Sequence, residues 1–153
     1  MKRILKFVLI ILAVILIAIQ FVPKKLPGYK PANENNIVNS NVVNDEILTI
    51  LKTSCFDCHS NQTQFPWYSR IAPSSWLLAN HVNHGRAELN FSEWESYSKR
   101  QKIGKLEAIK EEVAAGEMPL KSYILLHRQS GLNPQQVATL VKWTEETTEK
   151  ILK

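Results

Sequence analysis

Cys55 and Cys58 are the only cysteines in this 153-residue chain, and His59 directly follows the second. Cys-x-x-Cys-His is the attachment sequence for c-type haem. In a helical turn, residues three and four apart share a face, so both thiols can reach the two vinyl groups of one porphyrin. The His59 imidazole then approaches the iron from the proximal side. The motif therefore predicts one covalent haem c held by Cys55 and Cys58 and ligated by His59.

Paired cysteines also occur in two other kinds of site. A disulfide or a redox-active dithiol also uses Cys-x-x-Cys, but that motif accompanies a βαβ pattern, whereas the surrounding sequence has helical periodicity. A zinc site would have to recruit His81 and His84, whose spacing is tighter than in most zinc sites. Because both cysteines lie inside the motif and no others are present, covalent haem is favoured.

The N-terminus carries an apolar run from Ile4 to Val22, interrupted only by Lys6 and Gln20. A helix of about nineteen residues spans roughly 28 Å, close to the hydrocarbon thickness of a bilayer. Residues 1–22 are therefore predicted to be a membrane anchor or a signal peptide. Because Ala18-Ile19-Gln20 matches the cleavage pattern of signal peptides poorly, the uncleaved anchor is favoured.

The net positive charge of the chain comes from this terminus. The net charge is +5, but six of the 19 Lys and Arg residues lie within the first thirty residues, which contain no acid, and the rest of the chain has 13 basic and 14 acidic residues. This distribution argues against a nucleic-acid partner. Basic residues flank the apolar run almost equally, so charge does not determine its orientation. Since bacterial c-type haem is attached outside the cytoplasmic membrane, the haem hypothesis places the domain on the periplasmic side of a single-pass protein.

Residues 23–42 are rich in proline and asparagine, a composition that breaks helices and offers little apolar surface. They are predicted to form an extended, mobile linker. Residues 43–153 would then form one globular domain.

Helical signals dominate that domain. Asn44 is a predicted helix cap, and Ile47, Leu51 and Cys55 recur every four residues, so the first helix leads directly into the motif. Pro73 is predicted to begin a second helix, with Leu77, His81 and His84 on one side and a loosening at Gly85. Ser92 to Glu95 resembles a capping box, Gly116 should end a helix, and Asn133-Pro134 should begin the last one, which is expected to cross the haem-bearing helix.

Met118 is the only methionine besides the initiator, and it lies between a helix-ending glycine and Pro119. A lone methionine is usually a core residue. Here the proline keeps the chain out of helix, in a segment from which a thioether can approach iron opposite the imidazole. Met118 is therefore favoured as the distal ligand over His81, His84 or an open position, and His127 is expected to be a structural or surface residue rather than a ligand. Methionine and histidine ligation raises the reduction potential relative to two histidines.

The domain from about Asn44 to Leu152 resembles the bacterial cytochrome c-like proteins called the haem-binding domain family. The residues that carry the resemblance are Cys55-Phe56-Asp57-Cys58-His59, Pro66-Trp67-Tyr68, Gly85-Arg86, Leu89-Asn90-Phe91-Ser92-Glu93-Trp94, and Met118-Pro119 with Tyr123 and His127. The resemblance implies an all-α, cytochrome c-like domain around one haem, attached through Cys55 and Cys58 with His59 as an axial ligand. Two departures from ordinary small cytochromes c are the lack of a glycine in the first helix and the unusual segment from Phe65 to Trp94.

Together these features predict a membrane-anchored monohaem cytochrome that carries single electrons between periplasmic or membrane redox proteins. The alternatives are a haem sensor with an open or displaceable sixth ligand, and a metal-free thiol oxidoreductase using Cys55 and Cys58. The sequence shows no Ser/His/Asp arrangement, glycine-rich phosphate loop or carboxylate pair, so we do not expect an enzyme.

Overall fold

The computed structural model describes residues 1–22 and 25–153 of the chain, and over these residues it is helical. The α-helices are α1 (Lys2–Ala18), α2 (Asp45–Ser54), α3 (Phe56–His59), α4 (Ser74–Glu88), α5 (Lys99–Ala114), α6 (Lys121–Ile124) and α7 (Pro134–Leu152). Short 3-10 turns cover Ile19–Phe21, Ile37–Asn39, Trp67–Arg70, Phe91–Ser96 and Arg128–Ser130. Helix accounts for 69% of the structure and no strand occurs in the described ranges, which confirms the all-α class.

The N-terminal apolar helix is exposed along its whole length. The stretch Lys2–Phe21 has 20 residues and a mean hydropathy of 2.9, and none of it is buried in the protein. By length and composition it can cross a membrane, as the sequence predicts.

The core of the domain joins α2, α5 and α7 around the turn Phe91–Ser96. Leu51, Leu106 and Leu140 come from the three helices and are fully buried together with Trp94. Helix α7 lies mainly along α5 and contacts α2 less extensively, so its principal partner differs from the haem-bearing helix expected from the sequence.

The segment 23–42 differs from the extended tether that its composition predicts. Ile37 is completely buried and belongs to the core. Asn36 is also buried, and its side-chain amide donates hydrogen bonds to Gln62 Oε1 at 3.0 Å and Ser92 Oγ at 3.3 Å. Val38 and Val42 also pack against the core, so the expectation of a free linker is wrong for this part of the segment. Pro23 and Lys24 of the same segment lie outside the described residues.

Most helix ends follow the predicted signals. The Asn44 side chain accepts a hydrogen bond from the Ile47 N–H at 2.9 Å, and Asn133 forms a capping box with Gln136 ahead of α7. After α5, Gly116 adopts a φ of 71°, a left-handed conformation that favours glycine.

The predicted capping box at Ser92 is wrong. Asn90 caps the 3-10 turn that contains Ser92, and the box that opens α5 is formed by Ser98 and Gln101. The Ser92 hydroxyl is buried and accepts a hydrogen bond from the Asn61 N–H at 2.9 Å. The Ser92 side chain therefore makes a contact with a distant part of the chain instead of the helix-capping bond that the local pattern predicts.

Candidate functional site

A cavity of about 820 Å³ lies between the motif, α4, α5 and the segment after α5. Its volume falls within the range of roughly 300–1,000 Å³ that is usual for ligand and cofactor sites. Cys55, Cys58, His59 and Met118 all line it, so the fold brings the four predicted site residues to one space.

The His59 imidazole is oriented by two backbone carbonyls. Its Nδ1 lies 2.9 Å from the Gly85 oxygen and 3.1 Å from the Leu89 oxygen, so this nitrogen carries the proton and donates it. Nε2 is then the deprotonated nitrogen, whose lone pair can bind a metal. Burial lowers the pKa of His59, although both carbonyl contacts act in the opposite direction. Burial thus favours the neutral imidazole, which is the form that binds a metal.

Gly85 is what allows these contacts. A Cβ on Gly85 would lie 2.8 Å from the carbonyl oxygen of Cys58, closer than real Cβ contacts. Helix α4 continues past Gly85 to Glu88, so the predicted loosening of the helix at this glycine is wrong. The glycine instead permits α3 and α4 to approach closely enough for the carbonyls of Gly85 and Leu89 to reach His59.

The two cysteines are free thiols with raised pKa values. Burial, with a smaller contribution from Cys58, raises the pKa of Cys55 to about 12. Burial, with a smaller contribution from Asp57, raises the pKa of Cys58 to about 11. Catalytic and redox-active cysteines have lowered pKa values because the thiolate is the nucleophile. This environment argues against the thiol oxidoreductase.

The two histidines that the sequence offers as alternatives to Met118 also lie at the cavity. His81 and His84 line it alongside Met118. Leu78 faces the cavity with them, whereas Leu77, which the helical periodicity grouped with these histidines, is 55% exposed. In the described parts of the chain, no group of three or more His, Cys, Asp or Glu side chains is placed to hold a bare metal ion, which argues against the zinc site.

His127 has structural partners, as the sequence predicts. Its Nε2 lies 2.6 Å from the Tyr68 hydroxyl, and its ring stacks on Tyr123 with 4.3 Å between centroids. The Tyr123 hydroxyl donates a hydrogen bond to Asp57 Oδ2 at 2.6 Å. Asp57 lies between the two cysteines, so this cluster braces the motif from the side of α6.

Sequence reasoning missed Gly104, which also lines the cavity. It lies in the middle of α5, where glycine costs about 0.5–1 kcal/mol relative to alanine. No atom lies within 4 Å of the place where its Cβ would be, so no contact with the rest of the described chain requires a glycine. Open space at this point fits a flat group lying against α5. A glycine inside an otherwise regular helix was the signal that could have identified it.

These features fit an iron porphyrin. The cavity offers two thiols, an imidazole with a free Nε2, a thioether and an open cradle at Gly104. Thiols for covalent attachment and a nitrogen and sulfur donor for iron are the side-chain chemistry of haem c.

Comparison with protein families matches residues 14–146 to the family model described as "Haem-binding domain". No curated protein and no solved structure matches the chain.

Proposed function

Because this chain belongs to the haem-binding domain family, we propose that it is a membrane-anchored monohaem c-type cytochrome that transfers single electrons in the periplasm. Family membership supports haem binding. The finer proposal depends on one observation, the position of Cys55, Cys58, His59 and Met118 on the wall of a single cavity.

Each of these residues has a role in the proposal. Cys55 and Cys58 would hold one haem c through thioether bonds, within a cytochrome c-like fold. His59 Nε2 and the Met118 sulfur would bind its iron. When bound, the haem supplies a reversible one-electron iron couple. With both iron ligands supplied by the chain, the haem would have no open position for a substrate, which favours electron transfer, and the largely apolar wall would limit access of water and so influence the potential.

We also propose how the parts of the chain are arranged relative to the cytoplasmic membrane. Residues 1–22 would be a single-pass anchor in the cytoplasmic membrane, 23–42 the connection, and 43–153 the periplasmic haem domain, with Ile37 of the connection packed into it. The exposed apolar helix and the extracytoplasmic attachment of c-type haem support this arrangement. Anchoring would raise the effective concentration of the domain near periplasmic or membrane redox proteins, and we expect no nucleic-acid partner.

The test is to express the full chain in a host that matures c-type cytochromes and to purify it in detergent. We expect an intact mass raised by one haem, a c-type pyridine haemochrome spectrum, and colour that persists through acid-acetone extraction. The double variant Cys55→Ser, Cys58→Ser is the control and should retain no covalent haem. Two thiols that remain open to alkylation in the parent chain would contradict the proposal.

A second candidate is a haem-based sensor with a displaceable sixth ligand. The observation in its favour is that His81 and His84 line the same cavity as Met118. Binding of carbon monoxide to the reduced protein at neutral pH would support the sensor. Failure to bind would favour the electron carrier.

A further inference from the structure

The end of the N-terminal helix is bonded to one particular face of the domain. Gln20 forms a pair of hydrogen bonds with the Ala72 backbone, donating to its carbonyl at 3.0 Å and accepting from its N–H at 2.9 Å. The Trp76 indole donates to the Val22 carbonyl at 3.0 Å. The domain is therefore attached to the end of the anchor at the start of α4.

Large apolar side chains are exposed around that attachment. Ile71 and Leu77, on either side of it, are 46% and 55% exposed, and Trp67 is 79% exposed. Clusters of exposed apolar side chains mark binding surfaces for proteins or membranes.

A second exposed pair lies on the neighbouring segment. Leu125 and Leu126 are 74% and 65% exposed and directly precede His127, which is bonded to Tyr68. Because Tyr68 follows Trp67 in the chain, the bond between Tyr68 and His127 holds the exposed Trp67 and the exposed leucine pair on adjacent parts of the surface.

The charge of these two segments is one-sided. No acidic residue occurs between Asp57 and Glu88, and none between Glu117 and Glu145. Exposed cations within the two segments are Arg70, Lys121, Arg128 and, on α7, Lys142. Apolar side chains accompanied by Lys and Arg, without carboxylates, suit the interface of an anionic bilayer, where tryptophan is also favoured.

We propose that the surface formed by Trp67, Ile71, Leu77, Leu125 and Leu126, here called the docking face, lies on the anionic surface of the membrane that holds α1. The proposal rests on the membrane anchoring given under the proposed function. It adds that the domain is held against the bilayer in one orientation. Leu78 and Tyr123, beside the docking face on α4 and α6, line the cavity, so the cavity lies next to this face.

The test uses the full chain in vesicles containing phosphatidylglycerol. A photoreactive p-benzoylphenylalanine is incorporated in place of Trp67 or Leu126, with Glu146 as an exposed control position on α7. After irradiation we expect lipid adducts, identified by mass, at 67 and 126 and only background at 146. Equal adducts at all three positions, or crosslinks at 67 and 126 to protein alone, would overturn the docking face.

A further set of variants tests whether cations beside the docking face attract anionic headgroups. Arg70→Glu combined with Arg128→Glu should reduce the lipid adducts at position 67 in phosphatidylglycerol vesicles and leave them unchanged in phosphatidylcholine vesicles. Arg100→Glu, at an exposed site at the start of α5, is the matched control and should change neither. An equal loss in both kinds of vesicle would exclude attraction to anionic headgroups.

Extraction of the same vesicles with alkaline carbonate separates failure of docking from failure of the proposed function. A chain that stays with the lipid but gives no adducts at 67 and 126 is anchored and not docked, which refutes the inference alone. A chain released by carbonate refutes the anchor, and the inference falls with it. Haem content does not enter either readout, so an error in the cofactor proposal would not be mistaken for a failure of docking.

Discussion

Gly85 and Cys58 are in such close contact that a Cβ on Gly85 would lie 2.8 Å from the Cys58 carbonyl oxygen. That oxygen belongs to the backbone and cannot rotate away, so Gly85→Ala must move α4 away from α3. We expect the substitution to lower the free energy of unfolding by about 1–3 kcal/mol, the usual cost of overpacking. It should also lengthen the hydrogen bond from His59 Nδ1 to the Gly85 carbonyl. Denaturant unfolding of the haem-free full chain in detergent, followed by circular dichroism, measures the stability loss.

Gly104→Ala is the matched control for this substitution. It makes the same chemical change inside a helix, but no atom lies within 4 Å of the added Cβ. We expect the free energy of unfolding to rise by about 0.5–1 kcal/mol, since alanine is the better helix former. Effects of the same sign at both positions would show that close contact with Cys58 is not what distinguishes Gly85.

The parts of the fold that the sequence predicts correctly depend on interactions within one helical turn. Asn44 and Asn133 cap helices because their side chains bond to N–H groups three residues later, and Gly116 ends α5 through its own backbone conformation. The site motif is equally local, since Cys55 and His59 are four residues apart in a short helical stretch.

The parts that the sequence does not predict depend on distant partners. Ile37 is buried against residues far along the chain, the Ser92 hydroxyl accepts a hydrogen bond from the Asn61 N–H instead of capping a helix, and Gly85 meets the motif from another helix. No pattern within a short window separates a free asparagine-rich linker from one whose isoleucine and valines pack against a core. The openness of the space at Gly104 is likewise a property of the assembled cavity.

Gly104→Leu tests whether the open space beside α5 receives the porphyrin. A leucine meets no protein atom at its Cβ and is favoured in helices, so the haem-free chain should be at least as stable as the parent. In the cavity the added side chain would occupy volume that the haem needs. We therefore expect a reduced haem-to-polypeptide ratio, measured by pyridine haemochrome, with Gly104→Ala retaining more haem. Full haem loading of Gly104→Leu would place the porphyrin elsewhere.

Met118→Ala tests the sixth ligand. If the Met118 sulfur ligates the iron, its removal should alter the visible spectrum of the oxidised protein and lower the midpoint potential, because methionine and histidine ligation gives the higher potential. His81 and His84 line the same cavity, so His81→Ala and His84→Ala serve as controls. We expect both variants to keep the visible spectrum and the midpoint potential of the parent. An unchanged spectrum and potential in Met118→Ala, with a change in one histidine variant, would assign the position to that histidine.

Tyr123→Phe tests the hydrogen bond that braces the motif at Asp57. Removing the hydroxyl should cost about 1 kcal/mol of unfolding free energy at neutral pH, the usual net value of one hydrogen bond. Burial, reinforced by the hydrogen bond to Asp57, raises the pKa of Tyr123 above its usual value.

Because the pKa of Tyr123 is raised in the folded state, the stabilisation from its hydroxyl decreases as the pH rises. The stabilisation is complete below the unfolded-state pKa of about 10 and is lost as the pH rises through the folded-state value. Between about pH 9 and about pH 11, the parent should therefore lose more unfolding free energy than Tyr123→Phe, because only the parent must ionise this hydroxyl on unfolding. Tyr29→Phe, at a side chain that is 60% exposed, should follow the parent. Parallel pH profiles for Tyr123→Phe and the parent would mean that the pKa of Tyr123 is not raised in the folded protein.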